Sequence, residues 1–264
     1  MRRKRQKRRR QIFRRCFLSV LAVAAVVLAG SRAAEKRVSS VRAERAAAAD
    51  EKTEELSKEP ELYPEELREA AAANPEIADF VLAYPEKKGK APAETIEELV
   101  KGEIPELIQW DERWGYTWYG DSVLGVTGCG PTALSMAAAG LTGNEALTPA
   151  AVAGFAEANG YYIEGTGTSW TLMTEGCLAF GIRGEELPLE EARIRQELEA
   201  GHPVICSMGP GDFTDKGHFI VLAGLEGDKL RVHDPNSRIR SRRLWDYREL
   251  EPQIKNLWCF RKAA

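Results

Sequence analysis

The chain has 264 residues, of which 44% are hydrophobic and 29% are charged, a composition that allows one good-sized domain with additional segments. The first fifteen residues carry ten Lys or Arg and no acid, and the remainder has 27 basic against 40 acidic residues, a net charge of −13. An acidic protein of this kind does not bind nucleic acid through bulk electrostatics, so we expect no nucleic-acid partner.

The basic start is followed by an apolar run, residues 16–30, interrupted only by Ser19. This layout is typical of a secretory signal or signal-anchor, although the run is shorter than the roughly 20 residues of a comfortable membrane span. Ser31-Arg32-Ala33, followed by Ala34, resembles a signal-peptidase site. We predict that residues 1–33 are a signal peptide or a possible N-terminal membrane anchor. The protein would then be exported, either extracellular or held at the cell surface.

Residues 34–62 are rich in Ala, Glu, Lys and Ser and contain almost no large apolar side chains, which predicts a flexible linker. Residues 63–103 then show short helical patterns broken at Asn74-Pro75 and at Tyr84-Pro85. We call residues 63–103 the prelude and expect it to pack on the next domain. The sequence leaves open whether the prelude also regulates a cleft.

Residues 104–264 are predicted to form the main domain. The pattern indicates a strand over Ile104–Trp110, then helices that end near Asn159, Phe180 and Ala200, and antiparallel strands afterwards. Helices first and strands later indicate an α+β fold. Cys177, Cys206 and Cys259 lie in apolar contexts and are interpreted as core residues.

The most informative motif is Gly128-Cys129-Gly130-Pro131, which opens a small apolar run to Ala139. The glycines tolerate unusual dihedrals and the proline suits a first helical turn, so Cys129 is predicted at the start of a buried helix. The positive end of a helix dipole favours a thiolate there. The motif alone is equally compatible with a packed structural cysteine.

A thiolate nucleophile needs a base, and the base needs an orienting group. His218 opens an apolar strand, and Asp234 ends the next strand after a Gly227-Asp228 hairpin. Hairpin pairing therefore makes His218 and Asp234 neighbours, although each alone could be a structural strand-end residue. Gln109, at the end of the predicted strand, and the N–H of Cys129 are candidate oxyanion donors, and a solvated strand end is the alternative for Gln109.

These segments resemble the bacterial double-glycine-leader type of cysteine peptidase in its stand-alone exported form, over roughly residues 63–260. The resemblance rests on Gln109-Trp110-Asp111, Gly128-Cys129-Gly130-Pro131-Thr132, the strand from Gly217 to Leu222 and Asp234-Pro235-Asn236-Ser237. That family is similar to papain in fold, which implies a Cys-bearing helix packed on an antiparallel sheet that carries the His and the Asp. It also implies Cys129 as nucleophile, His218 as base and Asp234 as orienting residue.

One position departs from the family pattern. In transporter-linked members the oxyanion Gln lies six residues before the Cys, where this chain has Val123. Gln109 lies twenty residues before Cys129 and can serve only if the intervening loop folds back. No phosphate loop of an ATP-binding module follows, so we expect no encoded transporter, and the leader-peptide substrate does not carry over.

We therefore predict an exported cysteine peptidase that cleaves a peptide or protein substrate through a Cys-His-Asp triad and an acyl-enzyme. Two alternatives remain: a cell-wall peptide amidase or acyl transferase with the same triad, and a non-catalytic peptide-binding module on a papain-like fold. No cofactor and no metal are predicted, because HExxH, CxxC and phosphate-loop patterns are missing from the sequence. A zinc site built from Cys129, His218 and Asp234 is conceivable but has no further support.

Overall fold

The computed structural model describes residues 52, 54–97, 99, 100 and 102–263. Leu56–Ala264 form one compact unit. The predicted leader, residues 1–33, and most of the predicted linker lie outside the described residues. Among the helices that are described, none is both long and apolar enough to cross a bilayer.

An antiparallel sheet forms the centre of this unit. Six strands pair in the order β5-β10-β6-β7-β8-β9, and two short hairpins, β1-β2 and β3-β4, lie outside this sheet. The strands are β1 Trp118–Tyr119, β2 Ser122–Val123, β3 Tyr162–Ile163, β4 Gly167–Thr168, β5 Ile182–Glu186, β6 Val204–Met208, β7 His218–Glu226, β8 Lys229–His233, β9 Leu244–Trp245 and β10 Ile254–Lys262.

The first three helices belong to the prelude, and the later ones pack around the sheet. They are α1 Glu65–Ala73, α2 Ala78–Leu82, α3 Tyr84–Lys87, α4 Leu124–Thr127, α5 Cys129–Thr142, α6 Pro149–Ala158, α7 Thr171–Thr174, α8 Glu191–Glu199, α9 Arg238–Ser241 and α10 Tyr247–Leu250. Short 3-10 turns lie at Pro60–Leu62, Pro75–Ile77, Gly176–Phe180 and Glu251–Gln253.

Both faces of the sheet are buried, which explains why its strands read as continuous apolar runs. Along β7, Phe219 and Val221 belong to the core shared with α5 and α6, whereas Ile220 and Leu222 belong to a second core beneath α8 and α10. Successive side chains of a strand point to opposite faces, so one strand supplies both cores.

The Cys-bearing helix α5 is the best buried helix of the described chain, with every residue from Gly130 to Gly140 buried. It ends at Gly143, whose φ of 73° is the left-handed geometry that glycine supplies at helix ends. The prediction that Gly128 and Gly130 provide unusual dihedrals is wrong, because neither has a positive φ. They are needed for close packing instead. A Cβ on Gly128 would lie 2.5 Å from Leu124, and one on Gly130 would lie 2.6 Å from the Thr168 side chain.

Several predicted elements are confirmed and others are corrected. The predicted helix that ends near Asn159 is confirmed as α6, and Thr148 caps it by accepting a hydrogen bond from the Ala151 N–H. The predicted strand over Ile104–Trp110 is wrong, because this segment pairs with no described strand and ends in a turn at Gln109 and Trp110. Its backbone instead contacts the loop after β8, through the hydrogen bond from Gln109 N to Pro235 O at 2.8 Å.

The prelude packs through its own apolar cluster. Leu67, Ile77, Phe80 and Val81 are buried there together with side chains from residues 116–126, and the Phe80 ring stacks on Tyr116 at 4.2 Å between centroids. The predicted break at Asn74-Pro75 is confirmed, because α1 ends at Ala73 and Asn74 caps the following turn. The cluster places residues 73–76 beside the loop that follows β8.

Candidate active site

Cys129 begins α5, is half-buried as a residue and lines two cavities. Burial alone would raise the pKa of this thiol, but the hydrogen bond and the charge of His218 lower the pKa below its usual value. The backbone N–H groups of Phe219 and Gly130 also donate to the sulfur and act in the same direction. The thiolate form is therefore stabilised by a cation and by two fixed dipoles.

His218 is the first residue of β7 and contacts both Cys129 and Asp234. Its Nε2 lies 2.7 Å from Asp234 Oδ1, so Nδ1 is the ring nitrogen left for Cys129. Burial would lower the pKa of His218, but the Asp234 carboxylate and the Cys129 thiol raise it well above its ordinary value. A protonated His218 between a carboxylate and a thiolate is the expected state of this pair.

Asp234 follows β8 and is completely buried. Burial would raise its pKa, but His218 and Arg240 hold the pKa below its usual range. Oδ1 accepts from His218 and from the Asn236 N–H at 2.8 Å, while Oδ2 accepts from Arg240 Nε. The hairpin prediction that makes His218 and Asp234 neighbours is confirmed by this contact.

Arg240 is the residue of this site that the sequence does not reveal. It lies in a run of four arginines, Arg238, Arg240, Arg242 and Arg243, of which the first two belong to the short helix α9. Arg240 points back to Asp234. Its positive charge balances the carboxylate, which also accepts a hydrogen bond from His218. An arginine six residues after an aspartate gives no local sequence signal of such a contact.

Gln109 is 2% exposed and lines the same cavity as Cys129, so the intervening loop does fold back. Its Nε2 donates to the carbonyls of Gly125 at 2.9 Å and Val126 at 3.1 Å, which fixes the orientation of the carboxamide. Its Oε1 has no partner among the described residues. Both N–H groups are therefore engaged, and an oxyanion would have to replace one of the two carbonyls.

The thiol lies between two cavities. One, of about 450 Å³, lies toward the prelude and is lined by Asn74, Gln109 and Arg240. The other, of about 600 Å³, lies toward the β3-β4 hairpin and Trp170. Cys129 and His218 line both, so an extended chain that crosses the site would pass over the thiol from one cavity into the other.

A second group of potential metal ligands lies elsewhere, on Glu197, His202 and Cys259. Glu197 Oε2 already accepts from Arg261 at 2.8 Å, and Oε1 accepts from Arg193 at 3.1 Å. Two guanidinium groups on one carboxylate oppose the binding of a cation, so this group is a poor metal site. The structure gives no separate support for a zinc ion at Cys129, where His218 uses Nε2 for Asp234.

A Cys at a helix start, facing a His and an Asp carried by an antiparallel sheet, is the arrangement of the papain-like class. The chain belongs to the Peptidase_C39 like family, whose model matches residues 102–260. The predicted α+β, papain-like fold class is confirmed by this membership and by the packing of α5 on the sheet. The double-glycine-leader specificity and the stand-alone exported character remain predictions.

Two solved structures are similar to parts of the chain. One is the peptidase domain of Streptococcus ComA, a bi-functional ABC transporter involved in a quorum-sensing pathway, at 17% identity and a TM-score of 0.40, covering 52% of this chain and 93% of that one. The other is described as a C39-like peptidase from Bacillus anthracis, at 14% identity and a TM-score of 0.36, covering 64% and 100%. No curated protein matches the chain.

Proposed function

We propose that this protein is an exported cysteine peptidase that acts on peptide or protein substrates with Cys129, His218 and Asp234 as its triad. The observation that carries the proposal is the continuous contact from thiol to imidazole to carboxylate at the meeting point of two open cavities. Family membership supports the peptidase class, and the basic and apolar leader supports export.

In the proposed reaction the Cys129 thiolate attacks the carbonyl carbon of the scissile peptide bond, and the carbonyl oxygen becomes an oxyanion. Protonated His218 gives its proton to the leaving amine as the C–N bond breaks. Water, deprotonated by His218, then hydrolyses the thioester and restores the thiol. Asp234 keeps the imidazole oriented throughout and stabilises its charge.

The oxyanion is proposed to bind the backbone N–H of Cys129 and one N–H of Gln109. The bond from Gln109 to the Val126 carbonyl is the longer of the two that the carboxamide donates, so it is the one we expect an oxyanion to replace. A fixed donor of this kind stabilises the charge that develops in the transition state, while the ground-state carbonyl gains less.

The test is a reaction with a thiol-directed activity probe, followed by profiling of the purified protein on a peptide library. We expect the wild type and Cys177→Ala to react with the probe and to cleave peptides, and Cys129→Ala to do neither. Peptide binding without cleavage would support the binding-module alternative instead. A product joined to an added amine, in place of a hydrolysed one, would support the acyl-transferase alternative.

Export is tested separately by cell fractionation of the full-length chain. Recovery outside the cytoplasm supports it, and N-terminal sequencing distinguishes a cleaved leader, with a new start near Ala34, from a retained anchor. A full-length soluble cytoplasmic protein would contradict the export proposal without affecting the triad.

A further inference from the structure

Residues 74–76 of the prelude contact the loop that carries Asp234. After α1, Asn74 Nδ2 donates to the carbonyl of Asn236 at 2.7 Å, and Asn74 Oδ1 accepts from the Glu76 N–H at 3.1 Å. The Glu76 carboxylate accepts from Ser237 Oγ and from the Ile239 N–H, the latter at 3.2 Å. The prelude is thus joined to the loop that carries Asp234, and Asn74 also lines the cavity beside Cys129.

From Glu76 the contacts continue to the triad. Ser237 is the N-cap of α9, where its Oγ accepts from the Arg240 N–H at 3.1 Å. Arg240 Nε then donates to Asp234, which accepts from His218. Hydrogen bonds therefore link Glu76 to Ser237, Ser237 to the Arg240 backbone, and the Arg240 side chain to Asp234, and this series ends at the imidazole.

The helix α9 has only four residues, and a helix this short has little stability of its own. Its geometry depends on the groups that satisfy its first N–H groups. Glu76 satisfies one of them directly, at Ile239, and fixes the Ser237 hydroxyl that satisfies another, at Arg240. Without Glu76, the hydrogen bond from Asn74 to Asn236 would still join the prelude to this loop, but the Ile239 N–H and the Ser237 hydroxyl would lose this partner.

We infer that Glu76 is a positioning residue for the triad, acting through Ser237 and Arg240, and that the prelude is a fixed wall of the active site. This inference rests on the proposed peptidase function. It distinguishes the prelude from a regulatory segment that leaves the cleft, because departure would break the contacts that order Arg240. The sequence leaves open whether the prelude only packs on the domain or also regulates the cleft. The inference gives it a different role, which is to position the triad.

The inference predicts a shift in pH dependence. The charged groups beside the His218–Asp234 pair include Cys129, Arg240 and the Glu106 carboxylate, which Asp234 repels. Asp212, Asp215 and Lys216 line the same cavity as His218 and are unchanged in the variants compared below. Arg240 is a cation near the protonated His218 and opposes that charge. If Arg240 loosens, the imidazole keeps its proton to higher pH, and the falling limb of the pH–rate profile moves upward.

The experiment compares Glu76→Ala, Glu76→Gln and the matched control Glu69→Gln, an exposed α1 position, in the full chain. We expect Glu76→Ala to lower kcat about ten- to hundredfold with KM little changed, and to move the falling limb upward. Glu76→Gln should recover most of kcat, because it keeps an acceptor for Ser237. The control should match the wild type in every readout.

A double-mutant cycle with Arg240→Gln gives the decisive comparison. Because Glu76 is inferred to act through Arg240, Glu76→Ala should add little to the loss of kcat that Arg240→Gln already causes. Additive losses, or an unchanged kcat and pH profile in folded Glu76→Ala, would overturn the inference. If Glu76→Ala does not fold, Ser237→Ala takes its place in the cycle, with the same expected result and the same contradiction.

The rate of Cys129 alkylation by iodoacetamide separates this inference from the proposed function. If wild-type Cys129 reacts no faster than the buried cysteines, the proposed function itself fails. If wild-type Cys129 reacts fast and the Glu76→Ala profile is identical, only the role of Glu76 fails.

Discussion

Among the described residues, two clusters each contain one Cys, one His and one carboxylate, and they differ in which group lies in the middle. At the active site His218 lies between Cys129 and Asp234. In the second cluster Glu197 lies in the middle, with Oε2 2.8 Å from His202 Nδ1 and 3.5 Å from Cys259 Sγ. The same three kinds of side chain are therefore arranged in two different orders.

The order decides the state of the thiol. Cys129 faces a cation and has a lowered pKa, although burial opposes the shift. Cys259 is buried and faces a carboxylate; Arg261 only partly offsets these effects, and the pKa rises to about 12. Cys259 therefore stays protonated and donates to Glu197, so its sulfur is not activated as a nucleophile. A Cys, a His and an acid in contact thus make a catalytic group only when the imidazole touches the sulfur.

The largest expected effect on activity comes from replacing each of the two cysteines, Cys129 and Cys259, by alanine in separate variants. Cys129→Ala should lower kcat/KM on the order of 10⁴-fold or more, because the nucleophile is lost, whereas Cys259→Ala should leave kcat within about twofold. Steady-state kinetics on the best peptide of the library measures both, with circular dichroism to show that each variant folds. Comparable activity in the two variants would break the comparison.

The second largest effect is expected at the carboxylates of the two clusters, where substitution should lower activity in one and stability in the other. Asp234→Asn removes the charge that stabilises protonated His218 and should lower kcat about 10²- to 10⁴-fold. Glu197→Gln should leave kcat unchanged and lower the free energy of unfolding by about 1–3 kcal/mol, because hydrogen bonds to two arginines are weakened. Urea unfolding and kinetics on the same samples measure both. A loss of kcat in folded Glu197→Gln would contradict the structural role of the second cluster.

Gln109→Ala should lower kcat by about 10²- to 10³-fold, equivalent to about 2.7–4 kcal/mol of barrier, if its N–H binds the oxyanion. Its two bonds to the Gly125 and Val126 carbonyls also have a structural value, so some loss of stability is expected as well. A loss of stability with unchanged kcat would show that Gln109 only stabilises the loop around Gly125 and Val126. The second oxyanion donor would then have to be another group.

The pH dependence follows from the signs of the two shifts. Activity should rise with pH through a Cys129 pKa that lies below its usual value, and fall through a His218 pKa that lies above its usual value. With ordinary pKa values the thiol would ionise only after the imidazole had lost its proton, so the two shifts together create a pH window in which Cys129 is a thiolate and His218 is protonated. In Asp234→Asn the falling limb should move to lower pH. A falling limb that stays in place would exclude His218–Asp234 coupling as its origin.

The sequence predicts the parts of this site that depend on local pattern. The motif around Cys129 predicts a helix start, and the period-two strands with the Gly227-Asp228 turn predict that His218 meets Asp234. It fails where a contact depends on tertiary packing. The segment before Gln109 has strand-like residues but pairs with a loop, and Arg240 lies in a charged run that looks like solvated surface.

The second cluster and the contacts of the prelude cannot be predicted from the sequence for the same reason. His202 follows Gly201 just after a predicted helix, a position typical of surface residues, and its partner Glu197 lies in a polar helical pattern. Glu76 and Ser237 are 161 positions apart, and no periodicity links such positions. Long-range polar pairs of this kind emerge only after the cores have placed the elements.

The most direct test of the account is iodoacetamide labelling of the folded protein across pH, with mass spectrometry to follow each cysteine. Cys129 should alkylate first and already at low pH, and His218→Ala should move its titration upward toward an ordinary thiol. Cys177, Cys206 and Cys259, all buried and with raised pKa values, should react slowly until the protein unfolds. A Cys129 that labels no faster than Cys259 would contradict the claim that imidazole contact separates the catalytic thiol from the structural one.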